Sequence, residues 1–334
     1  MSAPGEKPLV DVGMPAHGKP VFLAEAIESV LAQSYGPMRL TVLDDSGGDE
    51  IEQAVRPFLG DERLDYRRSA PLSATAAMTE LIQAGEGRYF AFLHDDDRWE
   101  PGFLERRVEF LEAHRECALV FSGHVDIDGA GAITARAPAP YPEGVVPRES
   151  IVPEMQRRNV IDVMHCVLTR RSALVEAGPH LDDRFPRLFD WELWLRLVMR
   201  FPIGCIDAQD AQYRAHDAQM SSHPGRAGDF RQLLDHADEL AATHAPEYRL
   251  DERERRRQRA GSSLSAALDS LQAGDPGRAR RALRDALATD RGVLGDRRFV
   301  PALIGAVGGP PGRAVVSRLR EGRWKRLQAR RASS

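Results

Sequence analysis

Cysteine is scarce in this chain. Cys117, Cys166 and Cys205 are the only three, they lie far apart, and their number is odd. That excludes a disulfide framework and a paired CxxC zinc site, and it predicts a reducing, cytoplasmic setting. Lysine is almost missing too: Lys7, Lys19 and Lys325 stand against 43 arginines. Beside so much alanine, that imbalance reads as coding bias, and arginine runs are not taken as phosphate sites. No apolar run approaches the roughly 20 residues of a membrane-spanning helix; Tyr89–Leu93 is typical of the short ones. The start, Met1 to Lys7, has no apolar stretch after a basic one, which predicts no secretory signal. The net charge of −4 excludes a generic nucleic-acid binder.

What is present is patterned. At 334 residues the chain has room for about two domains. Its first half alternates strand-like and helix-like segments. Leu9–Met14 is a β-branched run. Leu23, Ala26, Ile27, Val30 and Leu31 then fall on one helical face. Leu40–Leu43, Leu64–Arg67 and Tyr89–Leu93 read as further strands. Asp49–Leu59, Ser73–Ala84 and a segment opened by Pro101 read as helices between and after them. That order predicts a mainly parallel sheet with right-handed crossovers. Beyond Ala118 the pattern changes. Strands are predicted at Ala118–Phe121, Ala132–Thr134, Val160–Thr169 and within Ile203–Tyr213, a surface loop over Ala135–Pro153, and a helix at Trp191–Met199. From about Asp229 the chain is helical and polar, with one helix-turn-helix unit of tetratricopeptide type. The predicted domains are residues 1–228 and a helical region, 229–334.

Three polar clusters fall at the C-terminal ends of three predicted parallel strands: Pro15–His17, Asp44–Asp45 and Asp95–Asp97. Open α/β sheets bind ligands at that edge. Three adjacent acids after a buried strand repel one another, and a hard divalent cation would relieve them; the simpler reading has Asp97 capping the next helix. Asp44, Asp45 and His17 also suit ordinary turns. Asp190 precedes a helix with two tryptophans, as its N-cap or as a general base, with Glu192 the next candidate base. His216 follows Tyr213-Arg214-Ala215.

Taken in order, these segments resemble the family 2 glycosyltransferases, inverting enzymes of the glycosyltransferase A fold. The resemblance rests on Val10–His17, Ala26–Tyr35, Val42–Ser46, Gly87–Pro101, Asp190–Leu197 and Tyr213–His216, and spans most of the first 225 positions. It implies an α/β fold with a mainly parallel, mixed nucleotide-binding sheet flanked by helices, followed here by the helical appendage. It implies that Pro15 and His17 flank the nucleotide base, that Asp45 accepts from the base of a UDP-sugar, and that Asp95 contacts the ribose. Asp96 matches the metal ligand of the family's DxD motif, with Asp97 as a helper and His216 near the metal and diphosphate. Asp190 matches the catalytic base. The implied cofactor is Mn²⁺ or Mg²⁺; the implied partners are a nucleotide-sugar donor and a hydroxyl acceptor.

The chain also departs from the family pattern. His94 replaces the first acid of the DxD motif, and Ala74-Thr75-Ala76-Ala77 stands where Ala-Arg-Asn is common. Phe189 replaces a glutamate, and Gly178-Pro179-His180-Leu181 stands where Gly-Gly-Phe-Asp is usual. Two rival readings are a nucleotidyltransferase, which would leave Asp190 and His216 without a role, and a non-catalytic interaction module. The stretch Arg313–Arg331 carries eight basic residues and one acid. It reads as a solvated basic helix, with weak contact to the inner membrane face as the alternative.

Overall fold

The structure, a computed structural model, describes residues 7–18, 20–161, 163–215 and 226–308. His216 and the basic stretch 313–331 lie outside the described residues. The chain divides into two compact units, residues 1–152 with 159–216, and residues 153–158 with 217–334.

In chain order the elements to position 216 are β1 (Val10–Ala16), α1 (Leu23–Leu31), β2 (Met38–Asp44), α2 (Glu50–Val55), β3 (Leu64–Arg68), α3 (Ala74–Ala84), β4 (Tyr89–Phe92), β5 (Arg98–Trp99) and α4 (Phe103–Ala113). There follow β6 (Leu119–Ser122), β7 (His124–Ile127), β8 (Ile133–Ala137), β9 (Gly144–Val146), α5 (Arg148–Met155), β10 (Val167–Arg170), α6 (Arg171–Ala177), α7 (Phe189–Val198), β11 (Ile203–Ile206) and β12 (Ala211–Arg214). The main sheet has the order β3-β2-β1-β4-β10-β6-β11-β9, and a smaller sheet has β5-β12-β7-β8. From β3 to β4 every pairing is parallel. β10 then enters antiparallel between β4 and β6.

The parallel half forms as its sequence dictates. β1 is buried on both faces, as a central parallel strand must be. Leu23, Ala26, Ile27 and Val30 of α1 are buried, the stripe that the helical spacing sets. Ser73 caps α3 by accepting from the backbone N–H of Ala76 at 3.1 Å. Gly13 is required where β1 passes beneath α3 and the ring of Phe90, because a Cβ there would come within 2.9 Å of that ring and 3.0 Å of Leu81. At the opposite end of the sheet, Asp11 accepts from the backbone of Gly87 and pairs with Arg39 and Arg171, tying β1, β2, the turn before β4 and α6 together.

The second half departs from the pattern in places. The stretch read as one strand, Val160–Thr169, pairs only from Val167; a 3-10 turn, Met164–Cys166, precedes it. The proline-rich stretch read as loop contains β9 and most of α5, with Pro153 inside the helix. Arg107, fully buried in α4, holds Asp210 at 3.0 Å and so fixes the approach to β12.

In the second unit, α8 (Arg226–His244), α9 (Glu252–Gln272), α10 (Pro276–Thr289) and α11 (Phe299–Val307) follow in order. Asp251 and Glu254 form a capping box on α9, and Asp275 caps α10 ahead of Pro276. Leu264, Leu271, Leu283 and Phe299 are in the shared core of α9, α10 and α11. Among the described residues no helix is long and apolar enough to cross a membrane.

Candidate active site

β1 pairs with β2 on one side and β4 on the other, so strand order reverses at β1 and opens a crevice at the carboxyl ends of the strands. All three sequence clusters sit there. Pro15 lies within β1, half-buried and in register with Leu43 of β2. His17 follows β1 with its ring 70% exposed; Nδ1 is 2.9 Å from Oδ1 of the buried Asp45. The other Asp45 oxygen accepts from the backbone N–H of Leu72 at 3.1 Å. The His17 backbone N–H donates to Asp95 at 3.4 Å. Side chains from three strand ends thus form one connected rim.

Asp44 belongs elsewhere. It accepts from the Ser46 backbone and hydroxyl and from the Tyr66 hydroxyl. Burial works to raise its carboxyl, but those hydrogen bonds prevail and hold it below the usual carboxylate range.

The loop after β4 concentrates charge. Asp95 and Asp96 are half-buried. Burial, and then the neighbouring Asp96, push the Asp95 carboxyl up to about 7. Burial disfavours a charge on His94, yet Asp97, Asp96 and Asp95 outweigh it and push that ring up to about 9. Asp97 is nearly sealed from solvent and does not cap α4, whose N-cap is Gly102 with no side-chain bond. One Asp97 oxygen accepts from the Arg214 backbone at 2.8 Å. The other lies 2.9 Å from His165 Nδ1 and 3.5 Å from His94 Nδ1. Burial works to raise this carboxyl too, but His165 and His94 hold it well below the usual range. Arg214 also donates to the Asp96 carbonyl at 2.9 Å, pairs with Glu25 at 2.7 Å and lies over the Phe22 ring.

The donor set fits a hard divalent cation. Asp95 and Asp96 crowd two carboxylates at a half-open strand end, where burial first and the Asp96 charge second raise the Asp95 carboxyl, and a cation would offset both. Ligand atoms of His94, Asp97 and His165 also lie within 4.8 Å of one another.

Asp190 stands in the first turn of α7, one residue inside the helix start, and not at the N-cap, which is Leu188. Asn159 Nδ2 donates to its Oδ2 at 3.1 Å. The rival base, Glu192, is 1% exposed and paired with Arg196 at 2.8 Å; Arg196 in turn donates to the carbonyls of Ala177, Gly178 and His180. Glu192 is therefore a structural anchor for the segment ahead of α7. That segment meets the nucleotide side through Thr75, which bonds Asp183, and through Thr79, whose hydroxyl accepts from the Leu181 backbone at 2.9 Å.

Asn159 and His165 were not singled out from sequence. Both lie in or beside an apolar run that reads as a strand, and the only signal was a polar residue interrupting it.

Comparison with known proteins follows the same outline. Residues 11–178 match the sequence model of the family described as glycosyl transferase family 2. A Bacillus subtilis protein named as the teichuronic acid biosynthesis glycosyltransferase TuaG is 25% identical over 228 residues, covering 66% of this chain and 84% of that one. Another from the same organism, named as glycosyltransferase EpsE, is 28% identical over 214 residues, covering 63% and 73%. Among solved structures, S. aureus TarS 1-349 in complex with UDP-GlcNAc aligns with a TM-score of 0.63 at 15% identity, over 94% of this chain and 92% of that one. Mannosyltransferase PcManGT from Pyrobaculum calidifontis, in complex with GDP-Man and Mn²⁺, aligns at 0.55 and 15%, over 98% and 85%. At these identities the solved structures establish the fold, a mixed α/β arrangement with a central, mainly parallel sheet.

Proposed function

This chain belongs to the family 2 glycosyltransferases and is a sugar-transferring enzyme; from that premise we propose that it is a divalent-metal-dependent, inverting transferase that uses a UDP-sugar and a hydroxyl acceptor. Family membership displaces both rival readings, the nucleotidyltransferase and the interaction module. The observation that carries the proposal is the joined rim of His17, Asp45 and Asp95 where β1 and β4 part. Such a rim suits a nucleoside diphosphate: Pro15 and His17 flank the base, Asp45 accepts from it, and Asp95 faces the ribose. The neighbours compatible with a nucleotide sugar carry UDP-GlcNAc in one case and GDP-Man with Mn²⁺ in another; the buried acceptor Asp45 favours uracil.

Asp96, beside Asp95, is assigned to hold the divalent ion, with Asp97 supporting the loop from within and His216 assigned to the same neighbourhood. When bound, such an ion supplies positive charge against the departing diphosphate. Asp190 takes the proton of the acceptor hydroxyl as that oxygen bonds to the anomeric carbon. The carbon–oxygen bond to the diphosphate breaks on the opposite face, which inverts the configuration. A base so placed contributes roughly 10²–10⁴-fold.

The three cysteines are free and buried, which suits a cytoplasmic enzyme. We assign the basic stretch 313–331 at most a weak contact with an anionic membrane surface.

The test is calorimetry of UDP binding with and without Mn²⁺, on the wild type and on Asp96→Ala. Affinity should rise with the ion in the wild type and not in the variant. Equal affinity with ion and with chelator would contradict the assignment.

A further inference from the structure

Asn159 and His165 stand six positions apart, ahead of β10, in one short stretch of chain. A stretch of that length spans at most about 20 Å. Each meets a different part of the site. The Asn159 amide donates to Asp190 Oδ2 at 3.1 Å, while its own Oδ1 is buried without a hydrogen-bond partner. His165 is fully buried, and its Nδ1 lies 2.9 Å from Asp97 Oδ2. The two atoms are at contact distance but not aligned for a hydrogen bond.

The ring of His165 is fixed on its other sides. It stacks on Tyr213 at 6.0 Å with 11° between planes, and it meets His94 edge-on at 6.3 Å. Its backbone carbonyl accepts from Trp99 Nε1 at 2.7 Å. Its Nε2 is buried without a partner. Both residues thus leave a polar atom unsatisfied inside the protein, a cost that an apolar side chain would avoid. What each gains is a hold on one carboxylate.

We infer that Asn159 and His165 are positioning residues supplied by one stretch of chain to the two halves of the site: Asn159 orients Asp190, and His165 anchors Asp97 and with it the loop that carries Asp95 and Asp96. The inference rests on the reading of Asp190 as base and Asp96 as the ion's ligand. Its content is that the two residues act on separable steps. Asn159 governs proton removal and leaves donor binding alone. His165 governs the grip on donor and ion and leaves the base alone.

The experiment is steady-state kinetics on Asn159→Ala, His165→Ala, Asp190→Asn and the double variant Asn159→Ala/Asp190→Asn, with Mn²⁺ titrated in each and folding checked by circular dichroism. Asn159→Ala should lower kcat about tenfold or more with the donor KM within about twofold of wild type. In the Asp190→Asn background the same change should cost less than about threefold, since a residue that acts through Asp190 has little left to act on. His165→Ala should raise the Mn²⁺ concentration for half-activation and the donor KM by about fivefold or more, with a smaller fall in kcat at saturation. His165→Gln, which keeps a polar N–H group to face the Asp97 carboxylate, should retain more of the wild-type values. If His165→Ala does not fold, His165→Phe preserves the stack on Tyr213 without a nitrogen and should show the same loss.

Equal costs of Asn159→Ala in both backgrounds would overturn the inference for Asn159, as would a normal kcat. Unchanged Mn²⁺ and donor dependence in a folded His165 variant would overturn it for His165. Near-normal turnover in Asp190→Asn would instead sink the base assignment itself, so the two failures are distinguishable.

Discussion

The ring of His17 and the carboxylate of Asp45 meet at 2.9 Å across the ends of neighbouring parallel strands, one group exposed and the other buried. The exposed ring offers a face to a base, while the other oxygen of the buried carboxylate is held by the Leu72 backbone. Asp45→Ala should therefore weaken UDP binding by about tenfold, the worth of one hydrogen bond to a charged group. His17→Ala should weaken it less. Calorimetry of both variants checks the order; a larger effect at His17 would contradict it.

Glu192 and Arg196 pair inside the protein, and removing one partner strands the other charge. Glu192→Ala should cost about 3–5 kcal/mol of stability. The fraction that remains folded should turn over near the wild-type rate. Thermal melts combined with active-site titration test this, and a large fall in kcat with little change in melting would reassign Glu192 to the chemistry.

Asp44 supplies a pH dependence with a defined sign. Its carboxyl is held below the ordinary 3.8 by Ser46 and Tyr66 despite burial. A lowered folded value means stability that is present above the unfolded value and lost as pH falls through the folded one. Asp44→Asn should thus lower the melting temperature at neutral pH, by an amount equivalent to about 1–3 kcal/mol. The gap to wild type should close as pH drops below about 4. A gap that widens in acid would contradict the assignment.

The basic stretch calls for a vesicle measurement. Binding to anionic liposomes should be weak, should fall with salt, and should vanish when residues 313–334 are deleted. Tight binding that survives high salt would contradict this.

The sequence made the parallel half of the fold and the donor rim legible because both obey local rules. The stripe on α1 has helical period, His17 and Asp45 directly follow buried strands, and Asp95 stands three residues past a third. The stretch before β10 was not legible. Val160, Ile161, Val163 and Val167 look like a strand, yet their burial is tertiary, and the chain turns at Met164–Cys166 to bring His165 onto Asp97. β9 and α5 were hidden for the opposite reason, since proline and glycine suggested loop and neighbours supplied the order. Asp190 and Glu192 could not be separated from sequence because only the fold shows which carboxylate meets Arg196.

The most direct test of the account is kcat and thermal stability measured together on one Asp190→Asn sample, with a competent donor and acceptor. An asparagine in the first turn of α7 keeps the shape of the side chain and can still meet Asn159, but it cannot take a proton. The account predicts a fall in turnover of about 10²-fold or more with the melting temperature and UDP affinity nearly unchanged. Near-normal turnover in the well-folded variant would contradict it.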